Sequence, residues 1–325
     1  MESRVHERES ASYGDVVTRR PRDPNSVPTV ADRRRLIEVN SAAARFFRRE
    51  LLRATDGWGR EYLTRGGAGE LLDPGSGWAV GQAPDARSRL VDHLRAKGLE
   101  LDSVRRAGLG LLNPEGRTVD RFRDQVMFPA RNDRLETVGF VGVRSGVGAP
   151  YYATSPATQV HRRSACLIGV TEQLDLLSEG AAPVLVNDPL DAIAIEQLSR
   201  RTMCRWAGIP LCDSLLSAGQ ARILGQHAAT DTAIVVLADD KAGQRAAVGF
   251  LDDLTRYFPR VWAVELPDGH SARALYGSPD GLQRLHDALM MTRPLSDYLG
   301  HRKRMRPSVS LPDAHLSPSD ETPSL

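Results

Sequence analysis

The sequence predicts an α/β fold whose second half is a parallel sheet covered by helices on both faces. Three observations predict it. The apolar run Pro183-Val184-Leu185-Val186 ends in the acidic segment Asn187 to Asp191 and feeds a helical pattern. A second run, Ala233 to Leu237, ends in Ala238-Asp239-Asp240-Lys241-Ala242-Gly243 and feeds another. Around these, strands near 183–187, 203–206, 233–238 and 261–266 alternate with helices near 189–200, 217–228, 240–257 and 279–291. Apolar strands alternating with helices are buried on both faces of a parallel sheet. Ligands and metals collect at the carboxyl ends of such strands, so the two acidic loops are the first candidates for a site.

Taken in order, residues 1–28 mix charge, Ser and Pro without periodicity and are expected to be disordered. Their Arg19-Arg20-Pro21-Arg22 cluster suits phosphate, although a solvated tail accounts for it. From 31 to 54, Leu36, Val39, Ala43, Phe47 and Leu51 recur at helical spacing and predict a long amphipathic helix. Its other face carries Arg33, Arg34, Arg35, Arg45, Arg48, Arg49 and Arg53. Such a face can track a phosphate backbone, but composition alone favours ordinary solvation. Residues 56–85 are rich in Gly and Pro and predict short helices and loops. Leu90, Val91 and Leu94 mark a helix ending near Gly98, and Leu101, Val104 and Ala107 one stopped by Gly108. Asp120 to Pro129 and Val138 to Val143 read as two strands around a turn at Asn132-Asp133. Residues 144–164 are loop-like. A last helical stretch runs to about His301, followed by the basic run 301–306 and a Ser/Pro-rich end.

The bulk numbers narrow the class. With 325 residues, two domains plus tails are expected. A net charge of +2 does not by itself argue for nucleic acid, although arginine clusters locally. Cys166, Cys204 and Cys212 make neither a disulfide framework nor a metal spacing, which points to a reducing cytoplasm. No apolar leader and no run near the ~20 residues of a membrane span is visible, so no membrane partner is expected.

Particular motifs then carry a resemblance. Leu63-Thr64-Arg65-Gly66 and Trp78 to Pro84 resemble a "YLxxRG…xxGYAP" pattern. Asp120-Arg121-Phe122-Arg123-Asp124-Gln125-Val126-Met127-Phe128-Pro129 resembles "DRFRxRVMFP". Val138 to Gly142 resembles "xxGFGGR", and Tyr152 to Thr158 resembles "YLNSPET". Over residues 36–300 the chain is thereby similar to the catalytic core of bacterial DnaG-type primases, nearest to shortened actinobacterial forms. The second half resembles the toprim domain, a Rossmann-like unit with a parallel sheet. The resemblance implies a mixed α/β N-terminal subdomain at 29–164, a toprim domain at 165–300, and a disordered tail at 301–325. It implies a DNA-directed RNA polymerase of DNA replication, which lays RNA primers on single-stranded DNA from nucleotides with Mg²⁺.

Departures from the family pattern temper that function. The family "VEGxxD" stands here as Val186-Asn187-Asp188-Pro189-Leu190-Asp191, with Asn187 at the general acid/base Glu position. The family "DGDxAG" stands as Ala238 to Gly243, where Ala238 replaces the first Asp and Asp240 keeps the second. Ser271 and Arg273 replace a third acidic pair. The resemblance thus gives Asn187, Asp191 and Asp240 as the catalytic positions. Asp191 and Asp240 are the metal ligands, with Asp239 as a further candidate; both Asp191 and Asp240 also suit helix capping. Arg121, Arg123, Arg144 and Arg162 are the nucleic-acid and nucleotide contacts. For Arg121 and Arg123 an ion pair with Asp120 or Asp124 is the competing role. His161 and Arg163 join Arg162 in a phosphate-contacting cluster, and His270 is read as a surface histidine. Trp58, Trp78 and Trp206 are read as packing residues. No Cys/His quartet precedes residue 36, so no zinc is expected. Primer synthesis is expected to be weakened or lost. The alternative is a catalytically silent protein that binds nucleic acid or a replication or mobilisation partner.

Overall fold

The computed structural model describes residues 29–144, 152–212, 215–237 and 246–299. Helix α1, Val30–Arg53, opens on a capping box in which Thr29 accepts from the Asp32 N–H at 3.1 Å. Leu36, Val39, Ala43, Phe47 and Leu51 form its buried face, as their spacing predicts. This face lies on an antiparallel sheet of order β1-β4-β5-β6, built from Gly81–Ala83, Gln125–Arg131, Thr137–Arg144 and Tyr152–Thr154. Gly81 lets the helix approach: a Cβ there would sit 2.4 Å from the Phe47 carbonyl carbon. The predicted turn between β4 and β5 is held by Asn132, whose Oδ1 accepts from the N–H groups of Arg134 and Glu136 at 3.0 and 2.9 Å. Helices α2 (Trp58–Arg65), α3 (Arg89–Ala96) and α4 (Leu101–Arg106) and a ribbon of β2 (Gly110–Leu112) and β3 (Thr118–Asp120) complete this part.

Asp120 ends β3 and is 2% exposed. Its two oxygens accept from the Leu90 and Val91 N–H groups at 2.9 Å each, so it caps α3. Among the described residues it makes no ion pair with Arg121 or Arg123; its place in the motif is structural. Asp120→Ala is expected to cost about 2 kcal/mol, because two buried donors lose their acceptor. Urea unfolding followed by circular dichroism checks this; a midpoint equal to the parent's would remove the capping role.

The second sheet has the order β11-β10-β9-β7-β8. Its strands are β7 Ala182–Val186, β8 Trp206–Pro210, β9 Thr232–Leu237, β10 Arg260–Glu265 and β11 Arg293–Pro294. All pairs are parallel except the short β11 against β10. Helices α5 (Leu174–Ser178), α6 (Pro189–Thr202) and α7 (Ala218–His227) and the helices Ala272–Tyr276 and Gly281–Met290 pack around it. The α/β class with a parallel, Rossmann-like sheet is therefore present.

One strand differs from expectation. β8 begins at Trp206, not near 203, because Met203 closes α6 in the left-handed region (φ 55°) before the chain extends. The stretch Trp206-Ala-Gly-Ile-Pro210 conceals a strand behind two breaker residues. Pro210 is tolerated because β8 is an edge strand. Gly208 is required because a Cβ there would meet the Ala192 carbonyl oxygen at 2.2 Å, where α6 lies against the strand. The helix expected at 240–257 is described only from 246, and includes Leu251–Leu254. The final helical stretch is the 3₁₀ helix Leu295–Leu299. Both expected tails lie outside the described residues. Among the described residues no helix is long and apolar enough to cross a membrane.

Candidate functional site

In the parallel sheet β7 lies centrally. The chain leaves it through α6 to β8 on one side, and the later strands β9 and β10 lie on the other. The order reverses between β7 and β9, and in such sheets the crevice at that reversal is where ligands bind. A cleft of about 660 Å³ opens there, lined among others by Asn187, Asp191, Glu265, Asp268, His270 and Ser271. These residues come from the ends of β7 and β10, the start of α6 and the loop after β10.

Sequence chemistry fixes the first of these segments. Asn187 is exposed at the end of β7, and its carbonyl accepts from the Cys212 N–H at 2.9 Å. Asp188 is the N-cap of α6 with Pro189 in the first turn, a favourable helix start. Its Oδ1 accepts from the Leu190 N–H at 2.7 Å, and its Oδ2 from the Tyr152 hydroxyl at 2.9 Å. Burial, and then the charge of Asp188, push the Tyr152 phenol up, so it stays protonated and donates. Arg273 places Nη1 4.0 Å from Asp188 Oδ1. Asp191, one turn on, is buried, and its Oδ1 accepts from the Arg273 backbone N–H at 2.9 Å. It therefore caps the helix Ala272–Tyr276 from across the cleft, beside that helix's own N-cap, Ser271. Burial pushes the Asp191 carboxyl up to about 6, against the lowering effect of the Arg273 N–H.

This arrangement bears on the expected magnesium. Mg²⁺ asks for near-octahedral oxygen ligands at about 2.1 Å. Among the described residues no group of three or more His, Cys, Asp or Glu converges on one point. Both Asp188 oxygens and Asp191 Oδ1 are engaged by protein donors, and Arg273 adds a cation beside them. The described residues alone do not fit the ion. Ala238, Asp239 and Asp240 lie outside the described residues.

The sequence-predicted arginines sit on the antiparallel sheet and its loops. Register pairs Arg144 with Gln125 and Val143 with Tyr152, so Arg123, Arg144 and Tyr152 share one end of that sheet. The bond from Tyr152 to Asp188 brings this end against the mouth of the cleft. Arg123 and Arg144 are exposed and neither makes a salt bridge among the described residues, although the charge of Arg123 is felt at Asp120. Asp124, the other expected partner, instead accepts from the Trp58 indole N–H. Arg121 is half-buried with its Nε lacking an acceptor, and burial lowers its guanidinium. Arg162 is exposed, while the neighbouring Arg163 donates to the Cys212 carbonyl at 2.6 Å. That places the 162–163 segment beside the chain leaving β8.

His161 does not join this group. It is 2% exposed, bonds through Nδ1 to the Pro156 carbonyl at 2.9 Å, and burial lowers its pKa. His270 is exposed and bonds to the Pro267 carbonyl at 3.1 Å. Trp78 and Trp206 are buried, and Trp206 stacks edge-on against His286 at 5.6 Å. Two residues that shape the site escaped the sequence reading. Tyr152 stood inside a quoted motif as its first residue, but nothing local shows that its hydroxyl reaches a helix 36 residues on. Arg273 was visible only as a lost acid, whereas it supplies both a donor and a countercharge.

Comparison with known proteins follows the same lines. A family model described as "DNA primase catalytic core, N-terminal domain" matches residues 46–174. The DNA primase of Geobacillus stearothermophilus is 31% identical over 240 residues, covering 72% of this chain and 38% of that protein. The DNA primase of Deinococcus radiodurans is 30% identical over 284 residues, covering 85% and 47%. The chain thus spans less than half the length of these curated relatives. A solved DnaG primase catalytic domain bound to single-stranded DNA superposes with a TM-score of 0.69 at 24% identity, covering 88% of this chain and 90% of that one.

Proposed function

Because the chain belongs to the family of bacterial DnaG-type primase catalytic cores, we propose that it binds single-stranded DNA across the basic end of its antiparallel sheet, with weakened primer synthesis. In this reading residues 29–164 form the strand-gripping subdomain and residues 165–300 a toprim domain. Arg121, Arg123, Arg144 and Arg162 hold phosphates, and the cleft faces the bound strand. The observation that carries it is the Tyr152–Asp188 bond, which sets Arg123 and Arg144 beside a cleft whose carboxylates Asp191 and Asp268 are already engaged. A catalytic domain of the same fold is bound to single-stranded DNA, which supports strand binding here.

Asn187 lacks the basicity of a carboxylate, so it orients but does not take up a proton. Asp191 is held by the Arg273 N–H, and Asp188 by Tyr152 and the start of α6. When bound, Mg²⁺ supplies charge stabilisation at a transferring phosphoryl group. Asp191 and Asp240, with Asp239, are the residues that the resemblance implies would hold it, and Arg273 already stands against Asp188 and Asp191.

The test uses the full chain with single-stranded template, labelled nucleotides and Mg²⁺ or Mn²⁺. Strand binding that weakens steeply with salt is expected, with little or no template-dependent product. Efficient product that disappears in Asp240→Ala would overturn the weakened chemistry. Binding that is absent or indifferent to salt would overturn the strand-binding role.

A further inference from the structure

The arginines of α1 separate into two groups. Arg33 pairs with Glu136 at 3.6 Å, Arg35 with Glu38 at 2.9 Å, and Arg53 with Glu50 at 3.9 Å. Arg48 is an anchor: its guanidinium donates to the Leu71 and Asp73 carbonyls at 2.5 and 2.6 Å. Arg34, Arg45 and Arg49 remain, on the stripe opposite the buried face, with no carboxylate partner among the described residues. From Arg34 to Arg49 this stripe rises about 22 Å along the helix. Glu38 shares it, but is taken up by Arg35.

Below the stripe a groove of about 430 Å³ opens between α1, Ala79 and the turn end of the β4–β5 hairpin. Four arginines line it, Arg45, Arg48, Arg49 and Arg131, and no carboxylate does. Arg49 donates to His93 Nε2 at 3.0 Å; burial and then the charge of Arg49 lower that ring's pKa, and an imidazole brings no negative charge, so the charge of Arg49 is not cancelled. Arg131 lies 3.7 Å from the buried Glu172, and its Nε has no acceptor. Burial raises the Glu172 carboxyl, which blunts its hold on Arg131. No aromatic ring lines the groove, so there is no platform for bases.

We propose that this groove and the Arg34–Arg45–Arg49 stripe form a second phosphate site, which takes the backbone of a nucleic-acid strand. A line of cations in forked guanidinium groups suits a linear polyanion, and the lack of aromatic and acidic lining selects backbone over base. The groove lies at the Thr137 end of β5, whereas Arg144 ends the same strand. The strand's rise separates the two by about 24 Å. A bound chain of about seven stacked nucleotides covers that distance. The site rests on the nucleic-acid reading of the chain, but not on which end grips the strand first.

Anisotropy titrations with oligonucleotides of about 5 and about 20 nucleotides, across salt, test it. The protein is compared with Arg45→Glu/Arg49→Gln and, separately, Arg123→Glu/Arg144→Glu. Arg45 is exposed and makes no salt bridge among the described residues, and the Arg49→Gln amide can still donate to His93, so the first variant keeps the fold; its thermal melt verifies this. The first variant is expected to lose tenfold or more affinity for the long strand, with a salt slope shallower by about 1.4, and to bind the short one as the parent does. Unchanged long-strand affinity and slope would overturn the second site. So would competition by inorganic phosphate that removes the difference between parent and variant at constant ionic strength, since the groove would then hold free phosphate. A parent-like Arg123→Glu/Arg144→Glu would sink the primary placement alone.

Discussion

Arg123→Glu combined with Arg144→Glu is expected to weaken binding of a single-stranded oligonucleotide on the order of a hundredfold at moderate salt. Both side chains are exposed and make no salt bridge among the described residues. A charge-assisted contact to phosphate is worth roughly 1.5–3 kcal/mol, and each 1.4 kcal/mol is a factor of ten. Reversal adds repulsion to the lost contacts. Neither side chain packs in the core, so melting should shift by less than about 0.5 kcal/mol in stability. The salt slope should become shallower by about 1.4 for two lost contacts. Fluorescence anisotropy over a salt series reads both quantities. Parent-like affinity in this variant would move the strand away from this end of the sheet.

Asp191→Asn should stabilise the protein at neutral pH, by up to about 3 kcal/mol. The Asp191 carboxyl titrates near 6 in the folded chain, above the ordinary value of 3.8. Its folded pKa is raised, so its contribution is fully favourable below 3.8 and is lost as pH rises through 6. At pH 7 the folded chain carries a buried carboxylate that the unfolded chain solvates more cheaply. Asn keeps an oxygen for the Arg273 N–H and removes the charge. The difference between variant and parent should therefore be largest above pH 7 and fade by about pH 4. Urea unfolding at several pH values measures it. A variant less stable than the parent at every pH would show that the charge itself holds the cleft. The same series with millimolar Mg²⁺ reports on the metal: an ion held by Asp191 stabilises the parent alone and narrows the gap.

The elements of the second half were legible because continuous apolar strands alternate with amphipathic helices. β8 was misplaced because Gly208 and Pro210 resemble breakers. The reasons for them are a close helix and an edge position, and neither is local. The motif Asp120 to Pro129 was legible as a signature but not as a mechanism. Asp120 looked like an ion-pair partner for its neighbours, and it caps a helix 30 residues earlier. Arg144 could be placed beside Arg123 only once the hairpin register was known. At the cleft, the loss of acidic residues at 187, 271 and 273 could be read from the chain. That Arg273 returns a cation to Asp188 and a donor to Asp191 could not, since 82 residues separate Asp191 from Arg273. The basic face of α1 shows the same limit. Composition makes it an ordinary solvated face, and only the partners of each arginine separate the three without a carboxylate among the described residues from the four engaged ones.

The Tyr152–Asp188 bond has a consequence for measurement of length. One Asp188 oxygen starts helix α6 and the other holds β6, so this residue ties the two sheets together. Neither sheet can slide along the other without giving up a helix cap or a phenol contact. The spacing between the arginine-bearing end and the cleft is therefore a fixed gauge. Anything laid across both is compared with a set distance, and a ligand too short to reach from one to the other meets only half of the surface.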